Sequence, residues 1–336
     1  MIIEAKAYAR AGLIGNPSDG YFGKTISVIL RNFSATVRCF ESPRLSIEPC
    51  QQDQMVFRSL QDLQEDVRQN GYYGGLRLIK AAIKRFADHC REHSIELDGR
   101  NFTMEYQTDI PVRIGLAGSS GIVTATLKAL MTFYAVEIAD HDLARLALSV
   151  ELDELDIGAG LQDRVIQAYE GVVFMDFDQQ LMNRRGYGEY ESIQPASLPP
   201  LFVAYHSDLA EGTEVSHNDL RSRFMRKDPE VIAAMKEFAA LAAQAKEYLL
   251  NNNGEAIAKL MSDNFKLRTE LLNVSEGNRQ LVKVANRLGC HAKLAGSGGA
   301  VIGVYDGDES LFEHLQKDYA EMGATLIKPI IENKSD

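Results

Sequence analysis

Two segments rich in glycine and serine have the residue types and spacing that suit phosphate binding. Residues 115–121 read Gly-Leu-Ala-Gly-Ser-Ser-Gly, and residues 293–300 read Lys-Leu-Ala-Gly-Ser-Gly-Gly-Ala; they are called here the first and the second glycine loop. A loop before a helix directs free backbone amides and the positive end of the helix dipole at an anion. Either segment alone could be a capped helix or a turn. Together they predict a nucleotide site in a cleft between two domains.

The first glycine loop does not fit the two best-known nucleotide-binding motifs. No Gly-Lys-Ser/Thr follows it, so it is not a Walker A loop, and its position and glycine spacing do not fit a dinucleotide fingerprint. Ser119 or Ser120 could instead cap the following helix or bind a metal.

Carboxylates follow the first glycine loop at 151–163. Phosphoryl transfer from ATP needs a metal to neutralise phosphate charge and often a base for the acceptor hydroxyl. Asp153, Glu154 and Asp156 are interpreted as the solvated face of a helix. Asp163 follows a Gly-Ala-Gly turn and opens an apolar helical run, so its carboxylate lies in a first turn that favours the ionised form. A simple N-cap would explain the same position.

The elements that must position these residues follow from hydrophobic periodicity. Helices are predicted at about 74–90, 122–134, 140–154, 229–250, 254–272, 276–288 and 309–321. Strands are predicted at about 1–14, 26–40, 102–106, 172–175, 201–205, 291–295, 300–305 and 325–330. The two types alternate without a regular βαβ rhythm, so the expected fold class is α+β. Prolines at 195, 199 and 200 favour a boundary between domains 1–190 and 191–336.

Composition excludes several classes of protein. The chain has 336 residues, 45% of them hydrophobic and 25% charged, which is typical of a globular protein with two domains. A net charge of −11 argues against nucleic-acid binding. The four cysteines form no CxxC pair, so neither a zinc site nor a disulfide framework is indicated. Because the sequence shows no signal-peptide pattern and no membrane-spanning apolar run, we expect a cytoplasmic protein with no membrane partner. We expect the chain to be a monomer or a homodimer.

Three motifs in this order resemble the GHMP small-molecule kinases, such as galactokinase, homoserine kinase, mevalonate kinase and phosphomevalonate kinase. They are residues 9–15 (Ala-Arg-Ala-Gly-Leu-Ile-Gly), residues 111–121 and residues 293–300. The resemblance implies a two-domain α+β fold, with an N-terminal domain like ribosomal protein S5 domain 2 and a ferredoxin-like C-terminal domain. It also implies ATP and Mg²⁺. Gly121 replaces the usual Ala, and Ala295 stands where Thr is common.

A further difference from the family's usual first motif indicates which branch of the family the chain resembles. The first motif continues as Gly-Asn-Pro-Ser-Asp and lacks the Gly-Glu-His of galactokinases and mevalonate kinases. Residues 12–27, 71–75, 159–165 and 264–268 are similar to the glucuronokinase branch, which implies that ATP and D-glucuronate give glucuronate 1-phosphate and ADP. Another sugar kinase of the family (arabinokinase, galactokinase or heptose kinase) is the alternative, followed by a catalytically silent sugar sensor.

The resemblance also implies roles for individual residues. Asp163 would be the base or orienter for the anomeric hydroxyl, with Arg10 as the second catalytic residue. Ser120 and Glu151 would bind Mg²⁺, with Glu154 as the alternative to Glu151. The phosphates would be surrounded by Pro111, Gly115, Leu116, Ala117, Gly118, Ser119, Ser120, Gly296, Ser297, Gly298 and Gly299. The sugar acid would contact Asn16, Asp19, Tyr73, Gln162, Arg164 and Arg268, the two arginines being candidates for its carboxylate. Surface arginines and a core tyrosine without these roles would fit the sequence equally well.

Overall fold

The computed structural model describes residues 2–53, 59, 64, 74–209 and 220–334. Tyr73 lies outside the described residues. The chain divides into two compact units. The first unit contains residues 1–7, 34–109 and 119–159, and the second contains residues 8–33, 110–118 and 160–336. The domain boundary at residue 190 rests on the sequence alone and stays a prediction.

Strands and helices occur in both units. The strands are β1 (Ile2–Ile14), β2 (Lys24–Glu41), β3 (Ser46–Glu48), β4 (Phe102–Thr108), β5 (Val172–Asp176), β6 (Glu189–Ile193), β7 (Leu201–Tyr205), β8 (His291–Leu294), β9 (Ala300–Val304) and β10 (Thr325–Ile327). The helices are α1 (Gly75–Glu92), α2 (Gly118–Tyr134), α3 (Asp140–Ser149), α4 (Leu161–Tyr169), α5 (Gln179–Arg185), α6 (Pro229–Leu250), α7 (Ile257–Leu271), α8 (Glu276–Arg287) and α9 (Glu309–Glu321).

In the first unit, residues 35–41 of β2 pair antiparallel with β4, and β3 pairs parallel with β4. Helix α1 buries one apolar stripe that includes Leu78, Ile79 and Phe86. Helix α2 is buried on most of its circumference, as expected for a helix at the centre of a core. Helix α3 continues into a π-helical turn (Val150–Glu154).

In the second unit, residues 24–28 of β2 pair antiparallel with β5, which also pairs with β6. A separate antiparallel sheet has the strand order β10-β7-β9-β8. The alternating apolar residues of these four strands form a core with helices α8 and α9, in which Phe202, Leu315 and Tyr319 are fully buried. This sheet ends at the second glycine loop, between β8 and β9.

The long periodic elements lie where the sequence predicts them, and the short polar ones differ. Helix α2 begins at Gly118, one turn before the predicted start at Ile122. Because glycine and serine have low helix propensity, the sequence pattern does not predict the first turn of this helix. Helix α5 and strands β3 and β6 are not predicted, because short polar segments carry little periodic signal. Within the part of the chain that the structure describes, no helix is long and apolar enough to cross a membrane.

Candidate active site

Arg10 on β1 joins three segments of the second unit that are far apart in sequence. Its guanidinium Nε donates a hydrogen bond to Asp163 Oδ1 at 2.7 Å. Its Nη1 donates to the carbonyl oxygens of Gly115 at 2.6 Å and Ala295 at 3.1 Å. The arginine is only 6% exposed, so this rigid planar fork of donors holds its partners in a fixed arrangement. The two residues predicted to be catalytic therefore form an ion pair between the two glycine loops.

The carbonyl oxygens of three successive residues in the first glycine loop accept hydrogen bonds from outside the loop. Gly115 accepts from Arg10 Nη1, Leu116 accepts from the Arg10 backbone N–H at 3.2 Å, and Ala117 accepts from Gln167 Nε2 at 3.0 Å. Backbone φ is left-handed at alternate residues, with values of 61° at Arg113, 71° at Gly115 and 65° at Ala117. Alternation of this kind forms concave backbone nests that bind anions.

The second glycine loop lies directly against residue 115 of the first. A β-carbon on Gly296 would clash with the Gly115 carbonyl oxygen and lie 2.9 Å from Arg10 Nη1. A β-carbon on Gly115 would lie 2.8 Å from the Ser297 amide nitrogen. The backbones therefore meet without room for side chains, which is a physical reason for glycine at both positions. Residues 115–118 and the whole second glycine loop belong to the second unit.

Two buried basic residues, Lys293 and Arg268, bind carbonyl oxygens in and next to the second glycine loop. Lys293 is fully buried, and its Nζ donates to the carbonyl oxygens of Gly12 at 2.7 Å and Leu294 at 2.8 Å. Arg268, also buried, donates from Nη2 to the Ser297 carbonyl at 3.2 Å. Burial, with the nearby charges of Arg268 and Arg10, holds the pKa of Lys293 well below its ordinary value. The buried guanidinium of Arg268 favours an anion at this loop.

The N-terminus of helix α4 gathers two carboxylates. Asp163 lies in its first turn, and the Asp19 carboxylate accepts a hydrogen bond from the Gln162 backbone N–H. Burial and the charge of Asp163 raise the pKa of Asp19 to about 6, although Arg10 and the hydrogen bond oppose the shift. Arg164 folds back over the same helix end, where its Nη1 donates to the Gly160 carbonyl at 2.8 Å and lies 3.6 Å from Asp163 Oδ2.

Two side-chain amides lie close to the Cα atom of Gly12. A β-carbon at Gly12 would lie 3.0 Å from Gln162 Nε2 and 3.1 Å from Asn16 Cγ. Asn16 Oδ1 and Gln162 Oε1 are buried without a hydrogen-bond partner among the described residues. Asn264 holds the adjacent loop, because its Oδ1 accepts from the Gly15 N–H at 2.7 Å and its Nδ2 donates to the Asn16 carbonyl at 3.3 Å. Buried acceptors without donors suit a ligand that carries hydroxyl groups.

The predicted metal ligands lie in the first unit. The Glu151 carboxylate, 1% exposed, accepts a hydrogen bond from Ser119 Oγ at 2.9 Å, and Ser120 is fully buried in the first turn of helix α2. These are hard oxygen donors at a helix N-terminus. No group of three or more His, Cys, Asp or Glu side chains suited to a metal occurs among the residues that the structure describes.

The structure thus brings together most of the predicted residues that fall in the second unit: Arg10, Asn16, Asp19, Gln162, Asp163, Arg164, residues 115–118 of the first glycine loop and the second glycine loop. Arg268 contacts the second glycine loop. Sequence reasoning gave no role to Gln167, Asn264 or Lys293. Lys293 and Asn264 fall within the segments 293–300 and 264–268 that carry the resemblance, and Gln167 lies four residues after Asp163 on one helix and therefore on the same face.

Comparison with known proteins gives consistent results for the whole chain. A family model described as the GHMP kinases N terminal domain matches residues 77–171, and the GHMP kinases C terminal model matches residues 245–321. Glucuronokinase 1 of Arabidopsis thaliana is 39% identical over 99% of this chain and 94% of its own length. Probable glucuronokinase 2 of the same plant is 38% identical over 98% and 91%. In fold, the chain is similar to Lactococcus lactis galactokinase complexed with galactose, with a TM-score of 0.79 and 16% identity over 100% of this chain and 95% of that one.

Proposed function

Because this chain belongs to the GHMP kinase family and has its two-domain fold, we propose that it transfers phosphate from ATP to the anomeric hydroxyl of D-glucuronate. The products are glucuronate 1-phosphate and ADP. The observation that carries the proposal is the Arg10–Asp163 ion pair, which is bonded to both glycine loops. The likeness to glucuronokinases over nearly the full chain supports the choice of a sugar acid.

Asp163 is the residue assigned to the acceptor hydroxyl. Its carboxylate lies in the first turn of α4 and is oriented by Arg10 Nε. In this position it accepts a hydrogen bond from the hydroxyl and takes its proton as the new bond to phosphorus forms. Arg10 holds the carboxylate in one orientation, and such pre-organisation contributes to rate by itself.

The two glycine loops are assigned to the phosphates of ATP. Backbone amides at residues 115–118 and 296–298 supply donors, and the Arg268 guanidinium supplies positive charge beside them. The carbonyl oxygens of residues 115–117 are bound to Arg10 and Gln167. Those oxygens are thereby directed away from an anion held by the amides.

Ser119, Ser120 and Glu151 fit a magnesium ion, because all three offer the hard oxygen ligands that it prefers. When bound, the ion would neutralise charge on the phosphates of ATP. Mg²⁺ commonly takes only one or two protein ligands, and phosphate and water complete its coordination. We place the reaction in the cytoplasm, where its two partners are ATP and the sugar acid.

Two buried arginines are candidates for the sugar carboxylate, and their contacts separate them. Arg164 lies beside Asp163 at the N-terminus of α4, whereas Arg268 binds the Ser297 carbonyl in the second glycine loop. We therefore assign Arg164 to the carboxylate of the sugar and Arg268 to the phosphates. The Asp19 carboxylate and the amides of Asn16 and Gln162 are assigned to the sugar hydroxyls.

A sugar panel tests the proposal. ADP release is measured with D-glucuronate, D-galacturonate, D-glucose, D-galactose and L-arabinose, and the phosphorylated carbon is identified by ³¹P and ¹³C NMR. We expect turnover with glucuronate and at least a hundredfold lower kcat/KM on sugars with CH₂OH at C6, because they lack the carboxylate. Preference for a neutral sugar would establish the alternative, another sugar kinase of the family. If none of the sugars in the panel supported ADP release, the proposal would be contradicted.

Variants of the two arginines test the assignment of the carboxylate. Arg164→Met should raise the KM for glucuronate by about 10–100-fold with little change in the KM for ATP, since a charge-assisted bidentate contact is lost. Arg268→Met, at a similarly buried position, should raise the KM for ATP with little change in the KM for glucuronate. Asp163→Ala should lose turnover while still binding ATP. The same pattern of KM changes in both arginine variants would contradict the assignment.

A further inference from the structure

Gln167 is a buried polar residue that binds the first glycine loop and takes no part in the transfer of phosphate itself. It lies on helix α4, one turn after Asp163, and is fully buried. Its Nε2 donates hydrogen bonds to the carbonyl oxygens of Tyr8 at 3.1 Å and Ala117 at 3.0 Å. One side chain of the helix that carries Asp163 thus binds both β1 and the first glycine loop.

Ala117, whose carbonyl oxygen accepts one of these hydrogen bonds, has a strained backbone. Ala117 has a φ of 65°, a left-handed conformation that is disfavoured for a residue with a β-carbon. Such a conformation persists only where surrounding contacts enforce it. The carbonyls of Gly115 and Leu116 are bound by Arg10, so Gln167 supplies the third bond of the series, at the residue that immediately precedes helix α2.

We infer that Gln167 is a positioning residue for the nucleotide. By fixing the Ala117 carbonyl, it keeps the left-handed turn that directs the amides of residues 117 and 118 at a phosphate group. The inference rests on the proposed function, since ATP is taken to be the anion that these amides bind. It also explains why a helix with a catalytic carboxylate in its first turn carries a buried amide in its second.

The first test is nucleotide affinity in the full-length protein. Gln167→Met keeps the volume of the side chain and removes both donors. Binding of N-methylanthraniloyl-ADP is measured by fluorescence, without sugar and with EDTA, so that the readout needs neither turnover nor metal. We expect Kd to rise about tenfold and the KM for ATP to rise similarly, while the KM for glucuronate changes less than twofold. Thr126→Val is the matched control, because it removes a buried intrahelical hydrogen bond in α2; it should leave Kd unchanged.

A double-mutant cycle tests whether Gln167 acts through Ala117. Glycine adopts a left-handed φ without the penalty of a β-carbon. In the Ala117→Gly background, the Gln167→Met substitution should therefore weaken nucleotide binding by less than threefold. An equal loss in both backgrounds would show that the two residues are uncoupled and would overturn the inference.

Gln167→Glu keeps the inference testable if the Met variant does not fold. An ionised glutamate has no donor, whereas a protonated one can donate to a carbonyl. The Kd of this variant relative to the wild-type protein should recover as pH falls from 8 to 5.5. If the nucleotide Kd is unchanged in every Gln167 variant while the wild-type protein turns over normally, the inference about Gln167 is overturned and the proposed function stands. Absence of nucleotide binding by the wild-type protein overturns the proposed function and the inference together.

Discussion

The two glycine loops lie against each other, yet they use small residues for different physical reasons. In the first glycine loop the left-handed turn includes Ala117, which has a β-carbon, and hydrogen bonds from Arg10 and Gln167 hold the loop's carbonyls. In the second glycine loop, Gly296 is needed because a β-carbon there would overlap the Gly115 carbonyl oxygen and crowd Arg10. At Ala117 the first glycine loop is shaped by bonds to its carbonyls, whereas lack of space sets the contact between Gly115 and Gly296.

This difference shows that a glycine-rich segment can have more than one structural cause. A left-handed backbone can be enforced on alanine by side chains from other elements, and its strain is then part of the site. A close backbone contact cannot be relieved by any hydrogen bond. The loops should therefore respond differently to substitution, and only Arg10, which binds carbonyls at residues 115 and 295, should affect both.

The largest effect is expected for Arg10→Met. The variant loses the donor to Asp163 and the donors to both loops, so we expect kcat/KM to fall by about 10³-fold or more, the usual cost of losing pre-organised donors. Both the nucleotide Kd and kcat should change, because phosphates and acceptor are affected together. Steady-state kinetics and N-methylanthraniloyl-ADP binding measure the two.

Arg38→Met is the control for loss of an arginine, since Arg38 is half-exposed and pairs with Glu4 in the first unit. It should leave both measurements unchanged. If Arg10→Met altered kcat but not the nucleotide Kd, the guanidinium would orient Asp163 without shaping the loops.

Gly296→Ala tests the loop that is limited by space. The added methyl group must displace the Gly115 backbone or Arg10, and overpacking of this kind costs about 1–3 kcal/mol. We expect the nucleotide Kd to rise about 10–100-fold. Gly99→Ala is matched to it, because nothing lies within 4 Å of a β-carbon built at Gly99; an equal effect of both variants would remove the steric explanation.

Much of the fold follows from the sequence, and helix α6 shows why. It spans Pro229–Leu250 as predicted, with Asp228 accepting from the Glu230 N–H at the N-cap and proline at the first helical position. Helix α5 has an equally good cap, Asp178, but only seven residues and no buried side chain. Without an apolar stripe, it has no periodicity to detect.

The candidate site is predictable in parts. Both glycine loops and Asp163 have local signatures, because small residues and a carboxylate at a helix start are visible in a short window. The bonds that hold them are not visible there: Gln167 and Ala117 are 50 residues apart, and Arg10 and Ala295 are 285 apart. Such partners are set by the tertiary fold, which a local pattern does not contain.

The buried Lys293 beside the second glycine loop predicts a pH dependence of stability. Its pKa is lowered in the folded protein, so between that value and the ordinary 10.5 the unfolded chain binds more protons than the native state. The free energy of unfolding should therefore rise with pH through this window, by about 1.4 kcal/mol per pH unit, and level off above 10.5.

Lys293→Met should lack this contribution, because methionine does not titrate. Urea unfolding of both proteins at pH 7 to 10 gives the difference in slope, and titration of other groups cancels in the comparison. Two donated bonds, to Gly12 and Leu294, match the two N–H groups of a neutral amine. Equal slopes in the two proteins would mean that the ammonium stays charged.

The smallest effect is expected for Ala117→Gly, and it separates the two loops most directly. Replacing a left-handed alanine by glycine removes strain of about 1–2 kcal/mol, whereas the greater freedom of glycine in the unfolded chain costs about 0.4–1 kcal/mol. We expect a net gain of about 0.5 kcal/mol in the free energy of unfolding. Ala135→Gly, at a left-handed φ of 52° just after helix α2, should give a similar gain in urea unfolding and leave nucleotide affinity unchanged. Ala117→Gly should weaken nucleotide binding about twofold, because the more flexible glycine backbone directs the amides less firmly. A stability gain at residue 135 but a loss at 117 would show that the Ala117 methyl group packs favourably and that backbone strain does not shape the first glycine loop.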